Sequence, residues 1–447
     1  MTNPEPSSPP LSRRSFLAAS SALGAGLMLG LPRTVRAQSP ESVDLPIALI
    51  GAGAQGRLLL DALVNIPGVR VQAVCDIWKF SQTQAQAKLR KAGQQPAVYE
   101  NFEDLLATEK GLAAAVIATP DFCHAPQTIA CLRAGLHVYC ESMMSHTADG
   151  ARAMVRAMRE TGRLLQIGHQ RRSNPRYIHV VDKLVRESRL AGRVIAAAAQ
   201  WNKPVPDDLG APKSQEIPIE TLRRHGYQDM HQFRNWRWFR ALSGGPIQNL
   251  GVHQVDVFNW IFDARPRALV AMGGMDYRPG REHFDNVMAA LEFETKDGVA
   301  RAAYEVVTTS NSGGGDFETF MGDQGTIVTS ENQKLAKIYR EARAADWAPL
   351  VDKGWLQEIA YAKAKRAAPG SEVQESARVA VEFAVPIILR KPVSQPHLEN
   401  FFAAVRGTEK LNSDGAQAFV SELPVFKIHD AIAGGGRIAL TPQDFAV

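Results

Sequence analysis

Leu45-Pro46-Ile47-Ala48-Leu49-Ile50-Gly51-Ala52-Gly53-Ala54-Gln55-Gly56 joins an apolar run to a glycine fingerprint, and its reading decides the fold. The run suits a strand covered on both faces, as strands of parallel sheets are. Gly51 then permits a tight strand-to-helix turn, Gly53 lets backbone approach a pyrophosphate, and Gly56 lets the next helix pack on the strand. Ala54 and Gln55 open that helix, which carries Leu58, Leu59, Leu60, Leu63 and Val64. A second apolar run, Val69 to Cys75, ends at Asp76, where a carboxylate can accept hydrogen bonds from an adenosine ribose diol. The unit predicts a dinucleotide site built on Gly51, Gly53, Ala54, Gln55, Gly56 and Asp76. Asp76 favours NAD because it repels a 2′-phosphate, while nearby Lys79 leaves NADP open.

The alternation continues outward. The pattern predicts a short helix over 101–106, a buried strand over 113–118, a helix over 127–134, a strand over 136–140, a helix over 150–160 and a sixth strand over 164–168. Strands alternating with helices wind into a doubly wound parallel sheet of the Rossmann type, which binds ligands at the carboxyl ends of its strands. That edge presents Thr119-Pro120-Asp121, Glu141-Ser142-Met143 and His169-Gln170-Arg171-Arg172. Beyond 172 the texture changes to strands over 194–200, 268–273, 287–293 and 300–308 with few helices between them, an α+β second domain. An irregular stretch over 202–234 leads into Asn235-Trp236-Arg237-Trp238-Phe239-Arg240, either a substrate wall or an ordered surface excursion. Residues 342–378 read as helical and peripheral, and further helices are predicted over 398–405 and near 426–432.

The chain therefore divides into 1–37, a linker over 38–44, a nucleotide-binding domain over 45–172 and a second domain over 173–447. The first part contains Ser12-Arg13-Arg14-Ser15-Phe16-Leu17, a moderately apolar run to Leu31, and Val35-Arg36-Ala37. This reads as a twin-arginine (Tat) signal cleaved near Ala37, too short and too interrupted to be a stable membrane span. It predicts a periplasmic or otherwise exported protein that engages the Tat machinery. Its removal lowers the formal charge from +5 to about +2. No Lys/Arg stripe interleaved with aromatics remains to argue for a nucleic-acid partner. The four cysteines form no CxxC and read as buried thiols, and His124, His146 and His169 fall at no metal-ligand spacing, so no metal site is expected.

With the fingerprint and Asp76, the segments Ala118-Thr119-Pro120 with His124, Ala134-Gly135-Leu136-His137-Val138, Cys140-Glu141, Gly244-Gly245 through Gly251-Val252-His253-Gln254-Val255-Asp256, and Met321-Gly322-Asp323-Gln324-Gly325-Thr326 resemble the Gfo/Idh/MocA oxidoreductases across nearly all of the mature chain. The resemblance implies a Rossmann domain followed by a domain with an open, mostly antiparallel sheet that often makes the oligomer interface, hence a dimer or tetramer. It implies hydride transfer between a nicotinamide cofactor and a sugar or cyclitol. Thr119, Pro120, His124, Glu141 and Gln170 would join the fingerprint at the cofactor. His253 would exchange the proton of the reacting hydroxyl, for which an imidazole suits neutral pH. Glu141, Asn249, Asp256 and Tyr177 are further candidates, with Arg171 and Arg172 read as a solvated pair.

Two departures bear on chemistry. Where the family carries Glu-Lys-Pro the chain has Glu141-Ser142-Met143, and the acid four positions before the family histidine is Asn249. A neutral hydroxyl does not replace an ammonium that holds substrate oxygen. A cofactor-retaining carbohydrate-binding protein with reduced catalysis, and an NAD-dependent glycoside-cleaving enzyme, are therefore carried as alternatives. Export adds a constraint: an enzyme that finds little free NAD outside the cytoplasm must carry its cofactor through the Tat pathway and regenerate it in place.

Overall fold

The computed structural model describes residues 44–206, 208–311, 315–359 and 381–447; the signal reading lies outside the described residues. The first half alternates as its sequence predicts: β1 (Leu45–Ile50), α1 (Ala54–Leu63), β2 (Val69–Cys75), α2 (Lys79–Lys91), β3 (Ala97–Tyr99), α3 (Phe102–Thr108), β4 (Ala114–Ile117), α4 (Asp121–Arg133), β5 (His137–Cys140), α5 (Ala148–Thr161) and β6 (Leu165–Ile167). The strands form one sheet in the order β3-β2-β1-β4-β5-β6, every pair parallel. Register aligns the strand ends, with Ile50 beside both Cys75 and Ile117. The turns after β1, β2, β4 and β5 therefore share one edge, stitched by backbone hydrogen bonds from Gly51 to Cys75 (2.8 Å), Ala118 to Ile50 (2.8 Å) and Glu141 to Ile117 (3.0 Å).

Among the described residues the second sheet has ten strands: β7 (Val194–Trp201), β8 (Pro266–Gly274), β9 (Asn286–Thr295), β10 (Gly298–Val307), β11 (Asp316–Gly322), β12 (Gly325–Thr329), β13 (Lys337–Arg340), β14 (Gln357–Glu358), β15 (Val381–Ala384) and β16 (Ile438–Ala439). Only the central β7–β10 pair is parallel. One face packs on α6 (Pro246–Phe262). The opposite face is left open and carries Met272 and Met288, cross-strand partners that are 79% and 62% exposed.

The C-terminal part returns to the first sheet. In α7 (Gln395–Val405), Leu398, Phe401 and Phe402 pack with Ile47, Leu49, Leu59 and Leu60, because an amphipathic helix covers the sheet face that α1 leaves bare. Next, α8 (Gly415–Phe426) packs on α5 and α6, and α9 (Ile428–Gly434) packs on β8. The first 18 residues of the stretch expected to be a peripheral helix hold only one helical turn, Ala348–Asp352, and β14, and residues 360–378 of it lie outside the described part. Among the described residues no helix is long and apolar enough to cross a membrane.

Candidate functional site

The shared edge of the first sheet is where the fingerprint does its work. Gly51 has φ +90°, and a Cβ there would lie 2.6 to 2.7 Å from Ala118 and Thr119 backbone. A Cβ at Gly56 would overlap the Gly51 carbonyl oxygen, whereas one at Gly53 meets nothing within 4 Å. Two glycines thus let strand, turn and helix pack, and the third leaves the turn open in front, as a pyrophosphate at a helix N-terminus requires. Ala54, exposed, and Gln55 begin α1.

Asp76 closes this cradle from the side. Its carboxylate accepts from Ala52 N inside the glycine turn and from Trp78 N, both at 2.8 Å. Burial pushes its pKa up, to about 6, against the pull of those two N–H groups and of Arg57. Gln55 Nε2 donates to Glu141 Oε1 at 2.9 Å, tying the fingerprint to the turn after β5, and burial raises the Glu141 carboxyl as well. Thr119 donates to Gln127 at 2.7 Å, and Pro120 precedes the first turn of α4.

Two of the predicted cofactor contacts face elsewhere. His124 is 1% exposed, with Nδ1 and Nε2 at 2.6 and 2.7 Å from the Met143 and Thr119 carbonyls. Burial works against its charge, but Cys140, Asp121 and the Met143 carbonyl outweigh it and raise the pKa to about 10. A doubly donating imidazolium clamps two turns together and has no ring nitrogen left for a cofactor. Gln170 reaches into the second domain, donating to Glu331 at 3.2 Å.

Facing this edge, α6 delivers Asn249 and His253 one turn apart. His253 Nε2 is 3.4 Å from Ser142 Oγ, the hydroxyl standing where the family has lysine, and the imidazole lies against Trp201 (ring centroids 5.1 Å apart). Burial, Arg171 and His169 all lower its pKa, so His253 is neutral. Asn249 Nδ2 donates to Asp121 Oδ2 at 3.0 Å, and Ser243 Oγ donates to the same oxygen at 2.8 Å. His253 Nδ1 and Asn249 Oδ1 are buried without a hydrogen-bond partner.

Behind His253 lies a buried ionic network. Arg171 and Arg172, read as solvated, are 1% and 4% exposed. Arg171 pairs with Glu318 and, at 2.7 Å, with Asp316; Tyr177, fully buried, donates to Glu318 at 2.8 Å and so is a core residue instead of a catalytic candidate. Asp256 does not bond to His253: it accepts from Arg172 (2.9 Å) and Ser421 (2.7 Å) and lies 3.3 Å from His169 Nδ1. Glu422, which accepts from Met144 N, lies 3.4 Å from His169 Nε2. Burial opposes the His169 charge, but Asp256 and Glu422 raise its pKa to about 9.

The irregular stretch over 203–245 spans the open edge. Its Ile217, Leu222, Tyr227 and Leu242 cluster with Trp78, which follows Asp76 closely, and with Phe122 of α4. Trp78 Nε1 donates to Gln215 O at 2.5 Å, Phe122 N to Leu242 O at 3.2 Å, and Arg234 lies over the Trp78 ring at 4.9 Å. The segment is anchored beside β2 and beside β4, the two strand ends flanking the fingerprint. Asp121 and His169 lie at the edge where the sequence places them, though without an assigned role; Trp201 and Glu422 are the site residues that sequence reasoning missed, and Glu422 had no signal.

Comparison with known proteins agrees with this architecture. Residues 45–169 match the model of the oxidoreductase family with NAD-binding Rossmann fold, and residues 181–328 match the GFO/IDH/MocA C-terminal domain. An inositol 2-dehydrogenase of Rubrobacter xylanophilus is 33% identical over 142 residues, 31% of this chain and 39% of that protein. A glycosyl hydrolase family 109 protein of Stenotrophomonas maltophilia is 35% identical over 158 residues, 34% of each. The chain thus spans well under half the length of these curated relatives. Among solved structures, the WlbA dehydrogenase of Bordetella pertussis with NADH and UDP-GlcNAcA superposes with TM-score 0.61 at 20% identity, over 89% of this chain and 99% of that one. Levoglucosan dehydrogenase with NADH and L-sorbose gives 0.66 at 16%, over 89% and 99%. At such identities they show the fold alone. The NAD-binding Rossmann domain, the second-domain match and the paired sheets together place this chain in the Gfo/Idh/MocA family of oxidoreductases.

Proposed function

We propose that the chain is an exported oxidoreductase that moves hydride between a tightly held NAD and the CH–OH carbon of a neutral sugar or cyclitol. The observation that carries this reading is the meeting of His253 and Asn249 with Ser142 and Glu141 at the fingerprint edge, beneath the 203–245 segment. The cradle of Gly51, Gly53, Gly56 and Asp76 suits a dinucleotide, which when bound would supply the hydride acceptor. A neutral His253 can take the proton of a substrate hydroxyl, and Ser142 Oγ can hold the same oxygen. Relatives named inositol 2-dehydrogenase support the polyol class. The twin-arginine motif supports export, and the 203–245 segment supports retention of the cofactor. The open face of the second sheet supports a homo-oligomer.

One observation favours a second reading, a cofactor-retaining binder or a glycoside-cleaving enzyme: Ser142 and Asn249 remove an ammonium and a carboxylate, and a glycosyl hydrolase family 109 protein is among the relatives. Purification without added nucleotide, mass spectrometry of released cofactor, and absorbance near 340 nm with a sugar panel decide the matter. Stoichiometric NAD reduced by a sugar upholds the oxidoreductase. NAD that no sugar reduces shifts the reading to the second, and a protein unable to bind NAD refutes both.

A further inference from the structure

A cavity of about 320 Å³, whose lining does not include His253, lies between the start of α5, the first turn of α6 and the α8–α9 junction. It shares the Ser243–Gly244 wall with the Asp121–Asn249 pair, since Ser243 Oγ and Gly244 N both donate to Asp121. Its lining is polar in an unusual way. Gln248 and His283 are each 4% exposed, yet Gln248 Oε1 and His283 Nδ1 have no hydrogen-bond partner, and neither does buried His146 Nδ1. Buried polar atoms in this state call for a partner.

The tautomers say what kind. His283 Nε2 donates to the Ser243 carbonyl at 3.0 Å and His429 Nε2 to that of Gly244 at 3.3 Å, which leaves Nδ1 of each ring as an acceptor. Burial keeps both rings neutral, and His283 is pushed down to about 4 by burial and by His429, with Arg240 adding to the effect. The cations at the rim are already engaged: Arg240 Nε donates to the Glu282 carbonyl, and Lys427 pairs with Asp430 at 3.2 Å. Arg240 keeps its charge at the rim, but the unpartnered acceptors of the lining, Gln248 Oε1 and His283 Nδ1, repel the oxygens of an anion and ask for hydroxyl donors. Phe426 adds apolar surface on which a sugar C–H face packs, and Phe284, outside the lining, stacks on His429 at 4.9 Å and holds that ring in place. The volume lies at the small end of ligand pockets.

We propose that this cavity is a subsite for a neutral hydroxylated ring, so that the molecule bound by this chain is a glycoside or oligosaccharide of at least two units. The inference rests on the carbohydrate reading above but not on hydride transfer. The test is calorimetric titration of the cofactor-loaded mature protein with glucose, myo-inositol, maltose, cellobiose and trehalose, for the wild type and for Gln248→Leu and His429→Phe. Gln248→Leu keeps the shape while removing an acceptor, and His429→Phe keeps the stack on Phe284 while removing Nδ1 together with the Nε2 donor to Gly244. At least one disaccharide is expected to bind tenfold or more tighter than its monosaccharide, with each variant losing most of that advantage. Variants that bind the disaccharide as wild type does, a disaccharide no tighter than its monosaccharide, or no sugar bound at millimolar concentration overturn the subsite. A disaccharide preference lost in the variants, in a protein whose NAD no sugar reduces, sustains the subsite and refutes the oxidoreductase.

Discussion

Alanine placed in turn at the fingerprint glycines separates what the turn does for the fold from what it does for a ligand. At Gly51 the φ of +90° costs an L-residue about 1–2 kcal/mol, and the added carbon lies 2.6 Å from the Ala118 carbonyl carbon, backbone of the neighbouring strand end that has nowhere to yield. Overpacking of that kind adds about 1–3 kcal/mol, so Gly51→Ala should lose about 2–5 kcal/mol of stability. Gly56→Ala gains about 1 kcal/mol of helix propensity but overlaps the Gly51 carbonyl oxygen, and should still destabilise. Gly53 has φ −63° and open space around its missing side chain, so Gly53→Ala should fold as well as wild type or slightly better. Its methyl group occupies the ground a pyrophosphate must approach, and NAD affinity should fall at least tenfold, about 1.4 kcal/mol. Urea unfolding without nucleotide and an NAD titration read the two effects separately. Gly53→Ala with full NAD affinity, or with the instability of Gly51→Ala, would refute the placement of the dinucleotide.

Asp76 has its folded pKa raised, to about 6, so its contribution to stability is complete below the ordinary carboxylate pKa and is lost as pH rises through 6. A ribose diol needs the ionised form, so NAD affinity should strengthen as pH rises through 6, and Asp76→Asn should bind weakly with no such dependence, as fluorescence titration from pH 5 to 8 would show. Asp256→Asn leaves Arg172 and His169 buried without their shared carboxylate and should cost about 3–5 kcal/mol in urea unfolding, with Trp260, stacked on Arg172 at 5.3 Å, as a local probe. The surface pair Lys183–Glu187, broken by Glu187→Gln, should cost about 0.5 kcal/mol or less by the same assay. Trp78→Ala removes the anchor of the 203–245 segment and should speed NAD release at least tenfold in stopped-flow displacement; unchanged release would mean that this segment does not retain the cofactor.

What could be read from sequence follows the range of the interactions. The fingerprint, Asp76 and the alternation over 45–168 were legible because each signal lies within one βαβ unit, where local spacing is the structure. The return of α7 to the first sheet was not, since its apolar face is equally consistent with any uncovered layer and its partner, β1, begins 350 residues earlier. Arg171 and Arg172 looked solvated for the same reason: their partners Glu318 and Asp256 are 147 and 84 positions away, and nothing beside an arginine announces a distant carboxylate. The departures at Ser142 and Asn249 were visible, but their meaning depends on that unseen layer. Reading the site from its motif alone, the missing lysine counts as lost positive charge. In the folded chain, positive charge persists one layer deeper, in His169, Arg171 and Arg172, each paired with buried carboxylates. From there it cannot hold a substrate oxygen, yet Arg171 and His169, together with burial, keep His253 unprotonated. An imidazole held neutral by its surroundings is available as a proton acceptor through neutral and mildly acidic pH, which is the role the proposed oxidation of an alcohol assigns to it.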